Sequence, residues 1–160
     1  MREIYGLEMM LESWKIVEEA QADAWLIVVG PLPSDWTAQK ISALGLRRVK
    51  LVGWQNISIL PNWIDASDVC LAPRTPGFPR MYYNDQDSTK IPEYAALRKP
   101  IVAAGYAPSS QYLLVECNHR AFAEGILQAF EGLVQGPTPH FWEEVEPILY
   151  QAVECASGTR

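Results

Sequence analysis

Apolar positions along this chain follow two alternating rhythms, one helical and one of short unbroken runs. Leu7, Met10, Leu11, Trp14 and Val17 fall at helical spacing, with Glu8, Glu12, Lys15 and Glu19 on the other side. The pattern predicts an amphipathic helix over about Gly6–Ala20. Trp25–Val29 is a continuous apolar run closed by Gly30-Pro31, the signature of a buried parallel strand. Ser34 or Asp35 can cap a second helix running to Leu44, which Gly45 ends. Val49–Val52 reads as the next strand, followed by Gly53-Trp54. A short helix is predicted over Pro61–Ser67, then a third strand over Val69–Ala72.

A long loop follows, and a helix opens at Ser88 or Thr89 and stops before Pro100. Ile101–Ala104 and Gln111–Val115 read as two further strands. Phe122, Ile126, Ala129, Phe130 and Leu133 mark a helix ended by Gly136-Pro137. The last predicted helix covers about Phe141–Val153, bent at Pro147, before a loose tail over Cys155–Arg160.

Strands alternating with helices imply a parallel sheet with helices on both faces. The fold class expected is therefore α/β, a doubly wound, Rossmann-like parallel sheet. The 160 residues suit a single domain. The pattern opens on a helix, whereas doubly wound domains ordinarily open on a strand that becomes central. A first strand is expected to be missing upstream, and the sheet edge left by it invites dimerisation.

Charge narrows the functional classes. A net charge of −6 opposes non-specific binding to nucleic acid or an acidic membrane surface. It leaves room for one locally held phosphate group. Cys70, Cys117 and Cys155 are far apart, so no metal cluster or redox pair is expected, and free thiols fit a reducing cytoplasm. No apolar run reaches the ~18 residues of a spanning helix.

The candidate chemistry gathers in Asp68–Ala104. The loop after the third strand far exceeds the usual length of about 2–6 residues. In open α/β sheets, ligands bind beyond the carboxyl ends of strands, where such loops lie. Ser88 and Thr89 offer hydroxyls at the start of the next helix, its first turn offers unpaired N–H groups, and Lys90 adds a full charge. These features suit a diphosphate; they equally suit a simple helix cap with a solvated lysine. Glu93 lies one turn on, on the face shared with Thr89 or Lys90, where it can accept hydrogen bonds from a sugar diol or pair with Lys90. Asp85 and Asp87 precede the helix as caps, turn formers or contacts to a sugar hydroxyl. Arg74 and Arg80 lie in the loop, where they can approach a phosphate or simply be solvated. His119 and His140 belong to no pattern that suggests a metal or a triad, and no metal ligands are expected. The glycine fingerprint of NAD sites and the Walker lysine motif are both absent, and Gly30-Pro31-Leu32-Pro33 cannot form a nest of amides because its prolines lack the N–H.

The series GLEMMLESW, WLIVVG, KLVGW, WIDASDVCLAPRT and STKIPEYAALRKPIVA resembles the C-terminal half of a retaining glycosyltransferase of the GT-B type, in the large family-four group. Gly6–Val134 follows that group in order, and Lys90–Val102 is the most specific part. The resemblance implies a half that binds a nucleoside-diphosphate sugar, with no further cofactor. It implies that Glu93 bonds the ribose hydroxyls, that Gly53 and Trp54 receive the base, and that Ser88, Thr89 and Lys90 lie near the diphosphate; the loop cation Arg74 is counted with these donor-binding candidates. Asp85 stands where the family often has a glutamate near the transferred sugar, one methylene longer; no other catalytic residue is implied.

By the same resemblance, the parent enzyme transfers a hexose to a hydroxyl acceptor with retention. The acceptor-binding N-terminal half would be supplied by a further domain or a partner chain, with peripheral membrane association of the full enzyme in keeping. The final predicted helix, about 141–153, would pack on that half, leaving Phe141, Trp142 and Ile148 as an apolar face in its absence. Positioning both substrates is a large part of catalysis, so this half alone is expected to be inactive. The alternative is a non-catalytic subunit that binds a nucleotide sugar or a partner and needs another chain to act.

Overall fold

The computed structural model describes residues 6–32, 34–75 and 89–138. Five helices and five strands follow one another along them, alternating except that the fourth and fifth strands are consecutive. They are α1 (Leu7–Ala20), β1 (Leu26–Val29), α2 (Ser34–Leu44), β2 (Val49–Gly53), α3 (Leu60–Asp65), β3 (Cys70–Pro73), α4 (Lys90–Ala96), β4 (Ile101–Ala104), β5 (Leu113–Val115) and α5 (His119–Phe130). Every strand pairing is parallel, which is the α/β architecture expected from the sequence.

The two faces of the sheet carry separate cores. On one side α1 packs against α5 and α2, burying Leu11, Trp14, Val17, Phe122 and Ile126 with Val102 and Ala104 of β4. On the other, Ile64 of α3 and Ile91 and Ala95 of α4 pack on Cys70, Ala72, Ile101 and Ala103. Successive residues of a strand point to opposite faces. The run Ile101–Ala104 is uniformly apolar because both of its faces are covered, and all four residues are 0% exposed.

The strands do not form one continuous sheet. β1 pairs with β2, and β3, β4 and β5 form a second sheet in that order. Hydrophobic periodicity predicts elements but not which edges meet. Several boundaries also differ from expectation. The third strand is Cys70–Pro73 rather than Val69–Ala72, and it accommodates Pro73 because a proline is tolerated on an edge strand. A 3-10 turn, Ile57–Ile59, capped by the Asn56 side chain, precedes α3. β5 starts at Leu113 rather than Gln111, whose N–H donates to the Ser109 hydroxyl in a turn. α5 starts at His119, three residues before the first apolar position of its pattern, because the Asn118 carboxamide caps it by accepting from the N–H groups of Arg120 and Ala121. The predicted helix at about 141–153 lies outside the described residues.

Gly6 fixes how α1 meets the sheet. Its φ is 59°, and a Cβ there would lie 2.8 Å from the carbonyl carbon and oxygen of Arg74. Only glycine lets the start of α1 rest on the backbone just beyond β3. The Gly6 N–H also donates to the Thr75 hydroxyl at 3.4 Å.

Candidate functional site

The carboxyl end of β3 is where the fold gathers charge. Chain leaving Pro73 passes at once to Arg74, whose N–H still continues the sheet by donating to Ala104 O at 3.0 Å. Its side chain is only 8% exposed, unusual for an arginine. The guanidinium lies over the Tyr106 ring, with Cζ 4.3 Å from the ring centroid. Such a stack contributes about 0.5–2 kcal/mol and fixes the plane of the guanidinium. Tyr106 in turn packs against Tyr112, ring centroids 5.9 Å apart. It follows β4 directly, so two neighbouring strands deliver the arginine and its platform to the same end of the sheet.

Helix α4 brings the second cation and a carboxylate. Ile91 and Ala95 anchor it in the core, which fixes the rotation of its first turn. Thr89 is its N-cap residue, without a side-chain capping bond, and its carbonyl accepts from the Glu93 N–H at 3.4 Å. The threonine side chain is exposed; Lys90 and Glu93 are half-buried. Burial is the main force holding the Lys90 ammonium below its ordinary pKa; the positive charge of Arg74 pushes the same way and Glu93 opposes both. Lys90 therefore feels both Arg74 and Glu93. The cation pair has an electrostatic cost that an anion between them would relieve. Behind them, burial pushes the Tyr94 phenol above its ordinary pKa, keeping it neutral.

Of the residues predicted from sequence, the structure brings Arg74, Lys90, Thr89 and Glu93 to one end of the second sheet. Gly53 and Trp54 are placed by the other sheet, at the end of β2. Gly53 has a φ of 77° and open space where a side chain would project. Its carbonyl accepts from the Gly30 N–H at 2.8 Å, and Trp54 is 71% exposed. Ser88, Asp85, Arg80 and Asp87 lie outside the described residues.

Sequence reasoning missed the parts played by Tyr106 and Gly6. Tyr106 stands just past a strand, at the end where ligands bind, which was a usable signal. The close approach of Gly6 to Arg74 was visible only as a glycine before an amphipathic helix. Among the described residues, no group of three or more His, Cys, Asp or Glu side chains is close enough to hold a metal ion. His119 begins α5, with Nδ1 4.0 Å from Glu12 Oε2. No described helix is long and apolar enough to cross a membrane.

Comparison with known proteins places this geometry. A search of curated proteins gave no match. The fold is similar to the crystal structure of a glycosyltransferase from Rickettsia africae ESF-5, with a TM-score of 0.63 and 18% sequence identity. That likeness covers 83% of this chain and 36% of the other, so the chain spans about a third of that enzyme's length. The family model described as glycosyl transferases group 1 matches residues 1–131. The chain belongs to the glycosyl transferases group 1 family.

Proposed function

We propose that this chain is the donor-binding part of a glycosyltransferase that uses a nucleoside-diphosphate sugar. The observation that carries the reading is the convergence of Arg74, Lys90 and Glu93 at the carboxyl ends of β3 and β4. Two cations, one held by an aromatic platform and one partly desolvated, suit a diphosphate. Glu93 suits the vicinal hydroxyls of a ribose, since an ionised carboxylate only accepts and a diol donates twice. Ser88 and Thr89 add hydroxyls at the helix start. Gly53 and Trp54 give the base an open backbone corner and an exposed ring. Asp85 is assigned to a hydroxyl of the transferred sugar.

In the parent reaction a hexose moves to a hydroxyl acceptor with retention, and the diphosphate departs. Arg74 and Lys90 stabilise the charge that builds on that leaving group. The acceptor site is contributed by polypeptide beyond this chain, a further domain or a separate subunit, in keeping with the third of a full-length relative that the chain matches. Alone, the chain binds donor without turning it over.

The test is calorimetric titration with UDP, GDP, ADP, NAD and inorganic diphosphate, repeated with Glu93→Gln. The reading expects one nucleoside diphosphate to bind best. It expects Glu93→Gln to weaken that binding about tenfold, about 1.4 kcal/mol, and to spare inorganic diphosphate. Equal loss for both ligands would remove Glu93 from the ribose, and binding of none of them would contradict the proposal.

A further inference from the structure

The ring that covers the Arg74 guanidinium is placed by a turn that the sequence supplies for it. Arg74 N–H donates to Ala104 O, so Arg74 still belongs to the ladder and Tyr106 lies two residues beyond its partner. Between them Gly105 has a φ of 79°, a left-handed conformation that glycine adopts without steric cost. The chain leaves the line of β4 there, and Tyr106 comes to stand 4.3 Å from Arg74 Cζ, measured to the ring centroid.

This platform is braced from behind, in two ways, by Tyr112. The Tyr112 ring packs on the Tyr106 ring at an interplanar angle of 58°. Its hydroxyl donates to the carbonyl of Ala107, the residue after Tyr106. Tyr112 is buried with Ile91, Ala95 and Ile101, and Tyr106 packs against the same cluster. The ring under Arg74 therefore rests on core and not on a free loop.

Charge explains why a ring suits this place. Arg74 is close enough to Lys90 to help hold its ammonium pKa down. Two cations at one end of a sheet repel while no anion separates them. A carboxylate beside Arg74 would relieve that repulsion, but it would occupy the edge of the guanidinium and oppose an arriving anion. The N–H donors of a guanidinium lie in its plane. A ring on the face attracts the cation, engages none of those donors and adds no net negative charge.

We infer that Tyr106 is a positioning residue, whose ring holds Arg74 in its anion-receiving pose before any anion arrives. The inference deepens the donor-site reading and rests on it for the identity of the anion, a diphosphate. The role belongs to the aromatic face, so phenylalanine should fill it and leucine should not. A cation held in advance loses little binding energy to being ordered. Removing the ring should therefore show first as mobility of Arg74 in the free chain, and then as lost affinity.

The test compares Tyr106→Phe and Tyr106→Leu with the parent 160-residue chain. NMR of the ligand-free protein reads the Arg74 Nε–H and δ-methylene protons. In the parent, and in Tyr106→Phe, these should be shifted upfield by the ring, with the Nε–H as ordered as the backbone. Tyr106→Leu should abolish both features while the backbone amide spectrum stays folded. Titration with inorganic diphosphate should then show affinity about tenfold weaker for Tyr106→Leu and within about twofold of the parent for Tyr106→Phe. In an Arg74→Ala background, Tyr106→Leu should change affinity by less than about twofold, because its effect passes through the arginine. An undiminished loss in that background would overturn the inference, since the ring would then touch the ligand or support the fold. A mobile, unshifted Arg74 in the parent would overturn it without any variant, as would an Arg74 signal that Tyr106→Leu leaves unchanged. A parent chain that shows the held arginine but binds no diphosphate would contradict the donor-site reading while upholding the held pose.

Discussion

The two sheets of this molecule are built to different standards of cover. In the three-stranded sheet, β4 is buried on both faces and its neighbour β3 nearly so. In the two-stranded sheet, Ile27 is 43% exposed and Leu51 37% exposed. The contrast extends to the carboxyl ends of the sheets. The first ends in Arg74, buried and stacked on Tyr106. The second ends in Gly53 and Trp54, in open space. A buried cation is pre-positioned, so its binding energy is not consumed in ordering it. An exposed ring on an open turn is not pre-positioned in that way. If the proposed donor site is right, the diphosphate end is the rigid one and the base end the open one.

The sharpest way to break this contrast is through the core. Ile101→Ala, at a position 0% exposed, should cost about 2–5 kcal/mol in denaturant unfolding. Leu51→Ala, on the half-covered sheet, should cost under about 1 kcal/mol. Similar costs would mean that the two-stranded sheet is covered in solution. Next come the two left-handed glycines. Gly53→Ala carries only conformational strain, about 1–2 kcal/mol, because nothing lies within 4 Å of the added carbon. Gly6→Ala adds a collision with the Arg74 backbone to that same strain, so it should cost more and weaken diphosphate binding as well. If the two variants unfold alike, the start of α1 does not bear on Arg74.

Lys90→Met tests the charge pair. Removing an ammonium that burial and Arg74 disfavour should leave the free chain as stable or more stable at neutral pH, while diphosphate binding falls about tenfold, about 1.4 kcal/mol. The pH dependence has a definite sign. Because the folded pKa of Lys90 lies below 10.5, the unfolded chain holds the proton longer as pH rises. This residue's contribution to stability therefore increases with pH between its folded value and 10.5, and the methionine variant should lose that increase. At the proposed site a bound diphosphate would stabilise the ammonium, so affinity should fall as pH rises above the folded value. The smallest effect belongs to Trp54→Ala. At 71% exposure it should change stability by no more than about 0.5 kcal/mol, while narrowing the preference for a nucleoside diphosphate over inorganic diphosphate.

Much of this was legible in the sequence, for reasons that differ by element. The fully covered β4 announced itself as Ile101–Ala104, since burial on both faces leaves no polar position. The amphipathic α1 was equally plain from Leu7, Leu11, Trp14 and Val17. Lys90 and Glu93 could be placed on one helix face by spacing alone, but spacing could not separate a ligand site from a surface ion pair. Arg74 read as a loop cation with no assigned environment. Its burial depends on Tyr106, delivered by the next strand, and local patterns do not report such long-range pairings. An apolar run tells that a strand is buried, and not which neighbours bury it.

The most direct test of the donor site is a chemical-shift map of the chain titrated with UDP, GDP and ADP in turn. The largest shifts are predicted at Arg74 and across Thr89–Glu93, with smaller ones at Gly53 and the Trp54 indole, and with one nucleotide stronger than the others. Shifts confined to residues away from the carboxyl ends of the strands, or none at all, would contradict the account.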